Sequence, residues 1–338
     1  MLVRNALTAT LAVVAVLAAG CGGSTTAGKT PIVPNVARSP LDMPPPISRR
    51  TPKRVHVHLV MREVVAELAP GERYLFWTYT LPGQPPAVPG PMIRVMAGDA
   101  VVLTLTNDSR NVEPHGVDFH AVIGPGGGTE MVEVEPGQTR TFTFSVRRPG
   151  AYVYHCGAEG KPWEHVAHGM YGLIEVDPPG GLPKGYREFY VGQSDWYVSS
   201  SSRDDGPVSY HDLDDAKAEA ATPDFVTFNG NRAALASPTL YGDAMDVRPG
   251  QKVRIFFANG GPNLASSFHV IGEIFDRVYP DERRDAVKGE ETSLVPPGSA
   301  SVFELTAGAP GMYPLVDHAL WHAAEGAEGL LTVTPAES

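Results

Sequence analysis

The sequence predicts an all-β protein made of two tandem Greek-key β-sandwich domains. Glycine and proline number 36 and 32 among 338 residues, which favours many short strands joined by turns over long helices. Segments such as VVLTLTN, TFTFSV and KVRIFF alternate apolar and polar side chains, which is the period of a half-buried strand. The chain also repeats itself, and this repeat predicts two domains of the same kind.

The first segment of the chain predicts export. Residues 1–20 contain the basic residue Arg4, then an apolar run, then small residues that end at Cys21, as in a secretory signal peptide. The ending LAAGC resembles a bacterial lipobox, in which Cys21 becomes the lipidated first residue, although Ala18 stands where leucine is commoner. The alternative is a plain secretory signal that is removed together with the cysteine. Residues 21–53 are then a flexible tether, so we expect a protein outside the cytoplasm, attached to the bacterial envelope only by its lipid.

The composition beyond this segment is that of an acidic globular protein. Hydrophobic residues make up 42% and charged residues 19%, which is ordinary for such a protein. The formal net charge of −11 argues against a nucleic-acid partner.

The internal repeat covers two pairs of segments. PMIRVMAGDAVVLTLTND matches AMDVRPGQKVRIFFANGG, and VEPGQTRTFTFSVRRPGAYVYHC matches VPPGSASVFELTAGAPGMYPLVDH. Gly137 and Gly150 are 13 residues apart, and so are Gly298 and Gly311. Equal spacing of these turn residues supports the repeat of one fold in both halves.

The repeat also sets the predicted domain boundaries. The first sandwich spans residues 54–178 and the second spans residues 179–338, with DPPGGLPKG as the linker between them. Within the second half, the polar segment 200–221 predicts a loop with a short helix.

Cys156 lies in YHCGAEGKPWEHVAHGM and has no partner for a disulfide. After Cys21 it is the last cysteine of the chain, so it cannot pair within the chain. A lone thiol in an oxidising compartment is a liability unless it is occupied, and a metal would occupy it. A buried free cysteine among surface histidines is the alternative.

The residues around this cysteine are those of an electron-transfer copper site. Cys156, His165 and Met170 are spaced 9 and 5 residues apart and supply a thiolate, an imidazole and a thioether. One more imidazole completes the set of two histidines, one cysteine and an axial methionine. The upstream segment NVEPHGVDFHAVIG offers His115 or His120 for that position.

His155 directly precedes Cys156 and predicts a second metal site. Neighbouring side chains on a strand point to opposite faces, so His155 cannot serve the site that Cys156 serves. Further imidazoles are offered by His120 and, in LVDHALWHA, by His318 or His322. We favour His318 because its position at the end of a strand repeats the layout of the first half, whereas His322 is the alternative if this segment is helical. Three imidazoles with an open position form a site for a small exogenous ligand.

These residues closely resemble the copper-containing nitrite reductases, which have two cupredoxin domains and are similar to multicopper oxidases. The resemblance covers about residues 54–335, and it departs at 157–164, where the loop before the second ligand is this chain's own. It implies two coppers per subunit, a type 1 copper held by His115, Cys156, His165 and Met170, and a type 2 copper held by His120, His155 and His318.

The resemblance also assigns residues around the type 2 copper. H-x-x-D-F-H implies that Asp118 handles protons, and SSFHVIGEIFD implies that His269 works with it. It further implies that Ile271 lies near the substrate and that Glu291 and Thr292, in EETSLVP, orient His269.

The implied function is the reduction of nitrite to nitric oxide in denitrification or nitrate assimilation. An external donor, either a small cupredoxin or a c-type cytochrome, gives one electron to the type 1 copper, which passes it to the type 2 copper. The resemblance also implies a ring-shaped homotrimer with type 2 copper at each subunit boundary.

Two other functions compete with this one. A laccase-like oxidase needs a trinuclear cluster with many histidines in His-x-His pairs, but among 11 histidines only His56 and His58 form such a pair, and a His-Cys-His segment is missing. A non-enzymatic copper electron carrier explains the type 1 set but leaves the second set of histidines and Asp118 without a role. His168 and His211 fit no pattern and are expected at the surface.

Overall fold

The computed structural model describes residues 30–124, 133–158, 160–205, 208–236, 245–280 and 285–335. Within these ranges the chain is built of strands with a few short helices, which confirms the predicted all-β class. The predicted signal peptide and the lipidation residue Cys21 lie outside the described residues. Within the same ranges, no helix has the length and apolar character needed to cross a bilayer.

The described elements of the first half are β1 Ile32–Asn35, β2 Arg54–Ala69, β3 Glu72–Thr80, β4 Ile93–Met96, β5 Ala100–Asn107, β6 Asp118–Phe119, β7 Thr139–Ser145, β8 Gly150–His155, α1 Pro162–Ala167 and β9 Tyr171–Asp177. Those of the second half are β10 Tyr186–Trp196, β11 Val198–Asp205, β12 Val208–Leu213, α2 Asp215–Glu219, β13 Phe225–Phe228, β14 Met245–Val247, β15 Lys252–Gly261, β16 Ser266–Val270, β17 Arg277–Pro280, β18 Thr292–Val295, β19 Ser299–Thr306, β20 Gly311–Asp317, α3 Leu320–Glu325 and β21 Glu328–Val333.

The two halves have the same strand topology. In the first, β5 pairs in parallel with β2 and antiparallel with β7; in the second, β15 pairs in parallel with β10 and antiparallel with β19. The facing sheets run β4-β9-β8-β6 and β14-β21-β20-β16-β18, with equivalent pairings among the first four strands of each. The internal repeat of the sequence therefore corresponds to two sandwiches of one topology.

The core of the first sandwich is formed by the apolar side chains that alternate with polar ones along its strands, as predicted. Val101, Leu103 and Leu105 of β5 are buried, and the side chains between them face outward or are half-buried. Cys156 and Met170 belong to the same apolar cluster, so the predicted thiolate and thioether ligands lie in the core and not in a solvated loop.

The expected loop over residues 200–221 is wrong in its first part. Strands β11 and β12 form an antiparallel hairpin, and β12 pairs with β3, so the hairpin extends a sheet of the first sandwich. Both faces of β11 are largely exposed and polar, so the sequence lacks the apolar alternation that marks a strand. The short helix is α2, whose Asp214 side chain accepts a hydrogen bond from the Lys217 amide at its N-terminus.

Buried ion pairs connect the two sandwiches. Arg94 on β4 contacts Asp177 at 3.0 Å and reaches Glu188 on β10 at 2.7 Å. Arg254 on β15 contacts Glu188 at 2.8 Å and Glu304 at 2.6 Å. Glu188 is therefore shared by one arginine from each sandwich, which fixes the first domain against the second.

The Glu175 carboxyl near these pairs predicts a pH-dependent stability. Burial, together with the negative charge of Asp177, raises its pKa to about 8. Because this pKa is above that of the unfolded chain, the folded state keeps the carboxyl neutral while the unfolded state ionises as pH rises. We therefore expect the free energy of unfolding to fall between pH 4.5 and about 8, by roughly 1 kcal/mol per pH unit for this group.

Glu175→Gln should remove this part of the pH dependence. Urea unfolding at pH 5 and pH 8 measures it, and the variant should gain stability relative to the wild type at pH 8 but not at pH 5. The exposed Glu135→Gln is the matched control and should follow the wild type at both values. Identical pH dependence in the wild type and Glu175→Gln would contradict the assignment.

Candidate functional site

Three predicted type 1 ligands converge where β8 ends. Cys156 follows β8, His115 lies in the loop before β6, and His165 is in α1. The Nδ1 atom of His165 lies 3.0 Å from His115 Nδ1 and 3.2 Å from Cys156 Sγ. All three side chains are buried, as is Met170, whose carbonyl accepts a hydrogen bond from the Cys156 amide at 3.0 Å. One thiolate and two imidazoles whose donor atoms lie within 4.8 Å of one another fit a copper ion.

The electrostatics of this cluster suit metal binding. Burial lowers the pKa of His165 to about 3, with a further contribution from His115, so the His165 imidazole is neutral and can act as a ligand. Burial raises the pKa of the Cys156 thiol to about 11, although the Gly116 amide donates a hydrogen bond to Sγ at 3.3 Å. Metal binding must therefore displace the thiol proton.

A second group lies on the other side of β8. The Nε2 atoms of His120 and His155 are 3.0 Å apart, and Asp118 completes a group whose ligand atoms lie within 4.8 Å of one another. Asp118 and His155 are directly paired between β6 and β8. The Nδ1–H of His155 donates to the Cys156 carbonyl at 2.8 Å, which leaves Nε2 as the ligand atom.

The second sandwich contacts this group from one side. The ring of His120 hydrogen-bonds to the Gly298 backbone in the turn between β18 and β19, a contact that by itself raises the pKa of His120. Partial burial and the neighbouring His155 act in the opposite direction, and the net effect is a lowered pKa. A lowered pKa favours the neutral imidazole, which is the form that binds a metal.

The remaining predicted residues form a separate pair. His269 on β16 and His318, which follows β20, have ring centroids 5.5 Å apart. The His269 Nδ1–H donates to the Glu291 carbonyl at 2.5 Å, and Thr292 is paired with His269 across β16 and β18. His318 is exposed and is not among the described residues that form the group around His155.

Ile271 lies one residue beyond the end of β16, and its side chain is 45% exposed. An isoleucine so exposed beside the His269 and His318 pair lies on a surface that is open within one chain. This position leaves room for a partner to approach the pair.

His322 is occupied by another contact. The segment after His318 is helical, which was the condition for His322 to replace His318 as a ligand. However, the Nδ1 atom of His322 lies 2.8 Å from Asp317 Oδ2. This hydrogen bond raises the pKa of His322. A raised pKa disfavours the neutral imidazole that a metal binds, and no carboxylate among the described residues forms such a contact with His318.

The expectation that His168 lies at the surface is wrong. Its side chain is 1% exposed and stacks on Trp77 with ring centroids 4.0 Å apart. Its Nδ1–H donates to the Glu164 carbonyl at 2.8 Å, and its Nε2 lies 2.8 Å from Asp212 Oδ1 in the β11–β12 hairpin. The β11–β12 hairpin, which the sequence pattern did not predict, covers this histidine.

Trp77 connects His168 to the predicted type 1 ligands. Its ring meets those of His115 and His165 edge to face, with centroids 5.3 and 4.7 Å away. His211 is half-buried, and its Nδ1–H donates to the Ser199 carbonyl at 2.6 Å. Neither His168 nor His211 belongs to a described group of possible metal ligands.

The oxidase alternative gains no support from this geometry. Within the described ranges, the groups of histidine, cysteine and acidic residues that could hold a metal are the two given above. A trinuclear cluster needs many more imidazoles in one place than either group offers.

Comparisons with known proteins found similar sequences and a similar structure. The family model described as "Multicopper oxidase" matches residues 82–181. A copper-containing nitrite reductase of Neisseria meningitidis is 40% identical over 312 residues, which cover 92% of this chain and 77% of that protein. One of Pseudomonas chlororaphis is 35% identical over 255 residues, covering 71% and 68%.

A solved structure agrees in fold. The copper nitrite reductase of Nitrosomonas europaea superposes with a TM-score of 0.71 at 33% identity, covering 83% of this chain and 94% of that one. The likeness extends over both sandwiches and so confirms the predicted cupredoxin-like fold.

Proposed function

Because the chain belongs to the family of copper-containing nitrite reductases, we propose that it reduces nitrite to nitric oxide with two coppers per subunit. His115, Cys156, His165 and Met170 would hold a type 1 copper, and His120, His155 and His318 a type 2 copper. The observation that carries the proposal is the placement of the adjacent residues His155 and Cys156 in two different ligand groups.

This adjacency gives the two sites a short covalent connection. The peptide unit between the two residues links the Cys156 thiolate to the His155 imidazole, and the hydrogen bond from His155 Nδ1–H to the Cys156 carbonyl shortens the route. When bound, copper supplies one-electron redox chemistry at both sites and Lewis acidity toward the oxyanion at the second. The protein's part is to keep both ligand groups fixed on one rigid strand.

Protons come from residues beside the second group. Conversion of nitrite to nitric oxide takes up one electron and two protons and releases one water. Asp118 lies within 4.8 Å of the two imidazoles and is positioned to give a proton to a bound oxyanion. His269 is oriented by the Glu291 carbonyl through Nδ1, so its Nε2 is available for the same task.

The separation of His318 from the group around His155 supports a shared site. In a head-to-tail ring, the His269 and His318 pair of one subunit would complete the Asp118, His120 and His155 group of its neighbour. Exposed apolar side chains of the second sandwich supply a contact surface for such a homotrimer: Ile271, Ile274, Leu294, Met312, Leu320 and Trp321. Apolar side chains suit the core of such an interface, from which charged residues are depleted.

The proposals for export and for the electron donor rest on the sequence. The predicted signal peptide would carry the chain out of the cytoplasm, and lipidation of Cys21 would anchor it to the envelope. The expectation of a flexible tether over residues 21–53 is wrong in its later part, because β1 (Ile32–Asn35) pairs with β2 and Val36 is buried, so the chain from Ile32 onward belongs to the folded domain. The electron donor would be a small cupredoxin or a c-type cytochrome that meets the protein near the type 1 site.

Two measurements on one preparation test the function. Nitrite is supplied with a reduced donor, nitric oxide is detected directly, and electron paramagnetic resonance counts the copper classes. The proposal expects one nitric oxide per electron and two classes in equal amounts. Oxygen consumption without nitric oxide formation, or a single copper class, would contradict it.

A further inference from the structure

Glu63 contacts one predicted copper ligand from outside the ligand set. Its side chain, on β2, is 4% exposed. Its Oε1 accepts hydrogen bonds from the amides of Val112 at 2.9 Å and Glu113 at 2.8 Å and lies 3.1 Å from His115 Nε2. An oxygen that already accepts two amide hydrogens offers only lone pairs to the imidazole, so His115 Nε2–H is the donor in the third contact.

The same glutamate fixes the loop that carries His115. The Glu63 amide donates to the Asn111 side-chain oxygen at 2.9 Å, and the Asn111 side-chain amide donates to the Met61 carbonyl at 2.9 Å. The loop from β5 to β6 is thus attached to β2 by the main chain and the side chain of one residue. Three N–H donors offset the cost of burying the carboxylate.

We propose that Glu63 is a positioning residue for the type 1 copper, one that fixes the His115 ring with Nδ1 toward Cys156 and lowers the reduction potential of the site. A carboxylate that accepts the second N–H of a ligating histidine fixes the tautomer and makes the ligand more basic. A buried negative charge also stabilises the doubly charged metal more than the singly charged one, because low polarity leaves it poorly screened. Reduction by one electron therefore becomes less favourable, with no proton taken up by Glu63.

Glu63→Gln tests this inference, because the amide oxygen can still accept hydrogen bonds while the charge is lost. A spectroelectrochemical titration of the copper-loaded protein follows the visible thiolate band. The equilibrium constant for one-electron reduction should rise at least about tenfold, which is about 59 mV, while the band persists. Asp99→Asn is the matched control, since it removes the charge of an equally buried carboxylate of the same sandwich, one that is paired with Arg49 and contacts no predicted ligand, and it should change the constant less than about twofold.

A second measurement needs no variant. In the reduced, copper-loaded wild type labelled with ¹⁵N-histidine, His115 should show a slowly exchanging proton on Nε2. A proton on Nδ1 would overturn the inference, and so would an unchanged potential in Glu63→Gln with its band intact. If the Glu63→Gln variant does not fold, the position of the His115 ring proton in the wild type tests the inference by itself. The inference rests on the proposed type 1 copper, whose absence would show separately, because the wild type would then have no visible band.

Discussion

Nitrite turnover is expected to fall by about 100-fold or more when Asp118 is replaced by asparagine, although both coppers stay bound. Asp118 lies beside His120 and His155, and its side chain is half-buried. It is not one of the three proposed type 2 ligands, so its replacement should leave His120, His155 and His318 able to hold the metal. Asparagine keeps the size of the side chain and removes its ability to supply a proton.

Steady-state turnover with nitric oxide detection, beside a copper count, measures this effect. Asp204→Asn is the matched control, because this exposed aspartate of the β11–β12 hairpin undergoes the same change of charge away from the ligand groups. The control should keep wild-type turnover. Full turnover in Asp118→Asn with both coppers present would show that this carboxyl does not serve the reaction.

Colour and donor-driven turnover should both be lost in Cys156→Ala. The visible band of a type 1 copper arises from its thiolate, and this residue is the sole thiolate within reach of His115 and His165 among the described residues. The variant also removes the link from the type 1 group to His155, so turnover with a protein donor should drop to background. The type 2 signal should remain, since His120 and His155 are untouched.

Absorption spectra and electron paramagnetic resonance of the same sample check this prediction. Cys21→Ala is the control, because it removes the other cysteine and should leave the colour unchanged. A Cys156→Ala protein that retains the full visible spectrum would refute the assignment of the ligand.

Much of the fold was predictable because it is repeated and periodic. The matching of Gly137 and Gly150 with Gly298 and Gly311 marked the repeat of the two sandwiches, and alternation gave the buried face of strands such as β5. The placement of His155 and Cys156 on opposite sides of β8 followed from strand geometry alone. These features depend on local spacing, which a single sequence contains.

Other features depend on contacts between distant segments. The β11–β12 hairpin joins the first sandwich through one pairing, His211 with Tyr74, and its polar faces conceal the strands. The burial of His168 depends on that hairpin, since Asp212 covers it. Glu63 and His115 are 52 residues apart in the sequence, and no local pattern around either residue indicates that their side chains are in contact.

Reassembly of two inactive variants tests most directly the claim that the catalytic copper is shared between subunits. His155→Ala and His318→Ala should each be inactive alone, because each lacks a type 2 ligand. The two are unfolded, mixed in equal amounts and reassembled with copper, and nitrite turnover is measured. In a head-to-tail ring a boundary is intact when the chain that supplies its first-domain ligands keeps His155 and the next chain keeps His318, so about a quarter of the wild-type activity should return. If the site is formed within one chain, every site still lacks a ligand, and a mixture as inactive as its components would contradict the account.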